Sequence, residues 1–124
     1  MIMHKSSRSF LLLGLSPLLV VASYAQAPFA NELKIIEDLG EVNGQALACQ
    51  ELKAAGRAKN LMIAHAPKTA RFGKIYEEST QQSYATQIKG NVACPDGASF
   101  AVQLESISLR LKSSLPLTPG TEKP

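Results

Sequence analysis

Two cysteines, Cys49 and Cys94, constrain this 124-residue chain more than any other feature. Joined, they close a loop of 45 residues within a stretch barely long enough to bury a core. The residues ahead of them say why they should join. Lys5 and Arg8 give a positive start with no acid before Glu32, and an apolar run from Phe10 to Ala22 follows, broken by Pro17. This is the layout of an export signal. Cleavage is expected after Ala25. A cut after Ala27 is disfavoured because Pro28 would follow the bond. The run of 13 residues is short for a bilayer, which needs about 20, so no stable membrane anchor is expected after cleavage. No cysteine stands near the cut to carry a lipid. Outside the cell membrane an isolated cysteine pair oxidises, so a structural Cys49–Cys94 disulfide is expected in a periplasmic or secreted protein.

Removing residues 1–25 changes the charge argument. Of the 13 Lys and Arg, two leave with the leader, and the remaining eleven against 10 acids leave a net charge of +1. Lys53, Arg57, Lys59, Lys68, Arg71 and Lys74 cluster loosely, with no aromatic platform among them. A nucleic-acid partner needs a concentrated basic face, so none is expected. The linker covers 26–30, and the Pro-rich end at 113–124 reads as a disordered tail. A single helical domain is left at 31–112. A chain so short buries only about 60% of its unfolded surface, which makes a staple valuable.

The apolar spacing predicts an all-α fold, a small bundle of about four helices. Asn31 is placed to cap a first helix running through Asp38 and stopped by Gly40. Asn43 opens a second, with Ala48, Leu52, Ala55 and Met62 on one face. Gly56 weakens its middle, and Pro67 ends it at Ala66. Thr69 caps a third, whose Phe72, Tyr76, Thr80, Tyr84 and Ile88 recur at every fourth residue, with Gly90 as its stop. Asp96 precedes a fourth, with Phe100, Leu104, Ile107 and Leu111 on one face. The competing reading is α+β, with a C-terminal hairpin at 99–112 turning at Glu105-Ser106. Helix is preferred, because no Gly or Pro marks that turn and Val102 with Leu109 can pack a second side.

Chemistry is sparsely supplied. The mature chain keeps one histidine, His65, and no Cys-x-x-Cys, Gly-x-Ser-x-Gly or Gly-rich phosphate loop is present. Glu77 and Glu78 are adjacent and diverge on a helix, so they do not form an acid/base pair. No catalysis and no cofactor are expected. Met62 and His65, three residues apart, are the only candidates for a soft-metal site, and two ligands make a poor one. The plainer reading is that Met62 fills core space and His65 ends its helix, where a cation is favoured.

Asn60 to Lys68 is a dense apolar run that ends at a Pro-directed corner. Leu61, Met62 and Ile63 point to three sides of a helix. That helix is therefore either central and wrapped by the others, the preferred reading, or it leaves an apolar patch for a partner. A short exported helical chain with one long-range disulfide is similar in architecture to periplasmic acid-stress chaperones and to small immunity proteins of bacterial toxin systems. That similarity implies a protein partner. The function expected is a non-catalytic binding module, chaperone-like or inhibitor-like, meeting a partner or itself through Leu61, Ile63, His65 and Lys68. The alternative is a small metal- or ligand-binding protein using Met62 and His65.

Overall fold

A computed structural model describes residues 28–117, together with Gly14. Residues 1–13, 15–27 and 118–124, on which most of the expected leader, part of the expected linker and part of the expected tail fall, lie outside the described residues. The described residues form four helices: α1 Ala30–Ala48, α2 Leu52–His65, α3 Ala70–Lys89 and α4 Gly97–Ser114. Among the described residues there is no strand, so the hairpin alternative at 99–112 falls away. The expected all-α bundle with its Cys49–Cys94 disulfide is what forms.

The first two helices are divided differently from the expectation. α1 does not stop at Gly40, nor does a new helix open at Asn43; it runs unbroken through both to Ala48. It ends in a Schellman motif. Gln50 takes the left-handed region (φ 59), its N–H donates to Leu47 O, and the Glu51 N–H donates to Ala46 O. A glutamine at the position usually held by glycine hides this stop from the sequence. Asn31 is likewise inside α1, and its side-chain amide donates to Ser114 Oγ at the far end of α4. Gly56 does not divide α2, which is continuous from Leu52 to His65. Ala66 is extended before Pro67, as the ring requires. Thr69 sits at the start of α3 without a side-chain capping bond, whereas Asp96 caps α4 by accepting from the Ser99 N–H.

The helices alternate in direction. Cross-contacts fix the pairing: Glu37 with Ser79 and Gln45 with Gln87 make α1 and α3 parallel, while Asp38 with Arg110 makes α1 and α4 antiparallel. Arg57 with Glu105 and His65 with Leu115 make α2 and α4 parallel. α1, not α2, is the central helix. It touches all three others, α2 also touches α4, and α3 touches α1 alone. The core accordingly centres on Ile35, Ile36, Leu39 and Ala46 of α1, packed with Phe100, Leu104 and Leu111 of α4. Leu52, expected on the core side of α2, is 71% exposed. Val102 and Leu109 do not pack a second side of α4 either; both face solvent.

α1 and α3 approach closely because Gly40 and Gly44 present no side chain to the partner. A Cβ at Gly40 would lie 2.6 Å from Tyr76 O, and one at Gly44 would overlap the Thr80 carbonyl. Small residues four apart allow this closeness, and hydroxyls then bridge the backbones. Ser79, Thr80 and Ser83 each donate to α1 carbonyls, at Glu37, Gly40 and Glu41.

One group in this region is not satisfied. The Tyr76 hydroxyl is buried with no hydrogen-bond partner among the described residues, and burial pushes its ionisation up to about 12. An orphaned buried hydroxyl costs about 1–3 kcal/mol. Tyr76→Phe is therefore expected to stabilise the fold by about 1 kcal/mol in urea unfolding at neutral pH. The gain should widen in alkali. The unfolded tyrosine ionises near pH 10 and the folded one only near 12, so the native protein loses stability as pH rises between them. Tyr76→Phe removes that slope; an unchanged alkaline profile would refute this assignment.

Candidate interaction surface

α2 and α4 run side by side and end at the same corner, at His65 and Ser114. Past them, Pro67 turns the backbone after α2 and Pro116 follows α4. Between the two ends lies an open groove of about 430 Å³, walled by Ile63, Ala66, Pro67, Leu115 and Pro116 with His65 and Lys68 at its edge. Its surface is mainly apolar. Ile63 is half exposed there.

Two hydrogen bonds fix the corner. His65 is buried, and its Nδ1 lies 2.7 Å from Leu115 O. A carbonyl only accepts, so Nδ1 carries a proton and donates it to this bond. The Lys68 ammonium folds back to donate to Ile63 O at 2.8 Å, satisfying a carbonyl of the last turn of α2. A cation suits that end of a helix.

The expected surface residues do not all meet here. Ile63, His65 and Lys68 line the groove, while Leu61 is half-buried against the core. Met62 also packs against the core. Among the described residues no group of three or more His, Cys, Asp or Glu converges to hold a metal. His65 makes its hydrogen bond to a backbone carbonyl, and Ser114, in the same groove, takes its bond from Asn31. Among the described residues no acid orients the imidazole through a hydrogen bond.

Ser114, Leu115 and Pro116 are the site residues that sequence reasoning missed. α4 passes the expected boundary at 112 and runs to Ser114, and Leu115 packs on the core cluster. A signal for this existed: Leu115 follows Leu111 by four residues and prolongs the core-facing stripe. Three prolines in the same stretch mask it, because they read as an unfolded tail.

The disulfide closes the opposite end of the bundle. Cys49 caps α1 and Cys94 precedes the N-cap of α4, with Cα atoms 5.6 Å apart. Buried Gln87 organises the approach by donating to Val92 O and accepting from Gln45. Such a bond belongs to an oxidising, extracellular-type compartment. Among the described residues, no helix is long and apolar enough to cross a membrane. No protein-family model matches the chain, and comparisons with curated proteins and with solved structures give no match either.

Proposed function

We propose that the protein is a small exported binding module, periplasmic or secreted, that acts without catalysis by seating part of a partner protein in the Pro67 corner. The observation that carries this reading is the groove itself. Apolar walls from two helix ends surround exposed Ile63, and the backbone beneath is held by the His65–Leu115 and Lys68–Ile63 bonds. An apolar patch rimmed by polar groups is the usual form of a protein-docking site. The leader-like residues 1–25 and the disulfide support an envelope or extracellular setting. A chaperone-like or inhibitor-like role fits this arrangement, since both need a presented surface and no reacting group.

A photo-crosslinking residue placed at Ile63, with a matched one at exposed Gln81 on α3, tests the reading in cells. A discrete adduct formed from position 63 and absent from position 81 is expected. Ile63→Glu should remove partner binding while leaving the helical circular dichroism intact. Equal labelling from both positions would refute the corner as the docking site.

A further inference from the structure

The outer face of α4 is as unusual as its inner one. Directly opposite the core stripe lie Ala98, Val102, Leu109 and Ser113, all on one meridian of the helix and none charged. Val102 is 71% exposed and Leu109 58%. A solvent face normally carries charge at such positions. α4 has three charged side chains, and two are drawn sideways. Glu105 pairs with Arg57 of α2, at 2.6 Å, and Arg110 pairs with Asp38 of α1, at 2.8 Å. Asp38 is held there firmly: burial opposes its charge, but bonds from Lys34 and Arg110 more than offset this and keep its carboxyl below the usual range. The neighbours thus pull charge away from the outer meridian and leave it apolar.

We propose that this face is the contact through which two copies of the chain associate, α4 against α4 in antiparallel order. The spacing is self-complementary. Reflected about the point between Glu105 and Ser106, Val102 falls on Leu109 of the second copy, and Ala98 falls on Ser113 of the second copy. A two-fold interface requires this reciprocity of large on large and small on small. Charge selects the direction. Antiparallel order brings the Lys112 end of one copy over the Asp96 end of the other, whereas parallel order sets like ends together. The antiparallel macrodipoles also attract. Near the axis the two Glu105 carboxylates each arrive already neutralised by Arg57, so the centre carries no net charge.

Size sets the strength. An 18-residue helix is about 27 Å long, and one helix-on-helix strip covers much less than the roughly 800 Å² per partner of a standard stable interface. The dimer is therefore weak and concentration-dependent. It is separate from the Pro67 corner and does not depend on that site's role.

Analytical ultracentrifugation of the disulfide-bonded protein over a wide concentration range tests this. The average mass is expected to climb from one chain toward two. Leu109→Lys should weaken association by at least about tenfold, because each interface then buries unpaired charge. The position is exposed and opposite the core, so circular dichroism should not change. Direction is read by cross-linking with a short bis-maleimide. Two Ser106→Cys residues meet across the axis, while two Ala98→Cys residues lie about 22 Å apart along it. Linking through position 106 and not 98 is expected. A mass that stays at one chain, an undiminished dimer in Leu109→Lys, or linking through 98 as fast as through 106 would each overturn the proposal.

Discussion

Replacing Cys49 and Cys94 together by alanine should lower the stability of the fold by about 4 kcal/mol, the chain-entropy value for a loop of 45 residues. Few substitutions should cost this chain more. A domain of this size has a total stability of only about 4–13 kcal/mol, at 0.05–0.15 kcal/mol per residue. The native state offers little to confuse the measurement. Cys94 is exposed and Cys49 is half-buried against the core, so alanine removes the packing of one sulfur at most. The effect therefore acts on the unfolded chain, where the bond otherwise restricts α2 and α3 together. Urea unfolding of the double variant against the oxidised protein reads it directly. A loss below about 1 kcal/mol would mean that α1 and α4 already hold each other in the unfolded ensemble.

Gly44→Ala is expected to be the most damaging single methyl in the bundle, although alanine is the better helix former by about 1 kcal/mol. The new Cβ would overlap the Thr80 carbonyl and lie 2.9 Å from Tyr84 N. Both obstacles are backbone, so no rotamer can relieve them. α3 must move away from α1, which strains the Thr80–Gly40 and Ser83–Glu41 bonds and uncovers Phe72. Overpacking of this kind costs about 1–3 kcal/mol and, against rigid backbone, more. Gly56→Ala is the control. Nothing lies within 4 Å of its Cβ position, so the same change in α2 should stabilise by up to about 1 kcal/mol. Thermal unfolding of the two variants should move in opposite directions. A stabilised Gly44→Ala would show that the α1–α3 contact is looser than its geometry.

The opposite roles of these glycines show where the sequence stops informing. Gly40 reads as a boundary and Gly56 as a kink, while Gly44 carries no signal of its own. All three are helical. A glycine's local cost is the same everywhere, and only the surface opposite it decides whether that cost is offset. α3 lies opposite Gly40 and Gly44 and open solvent opposite Gly56, a difference some 40 residues away in sequence. The actual end of α1 was hidden for a related reason. Gln50 accepts a left-handed conformation that its type rarely adopts, because the Schellman bonds and the disulfide at Cys49 hold it there.

What the sequence determined alone was local or covalent. Helical periodicity in Phe100, Leu104, Ile107 and Leu111, the Asp96 cap, the Pro67 corner and the cysteine pair depend on near neighbours or on a single bond, and each can be read residue by residue. The tertiary structure alone decided that α1 is the centre and that Val102 and Leu109 face outward. It also brought Ile63, His65 and Lys68 into one groove with Pro116. An apolar stripe states that a helix has a buried face. Which helix covers it, and which stripe is left uncovered, depends on how four such faces share one small core.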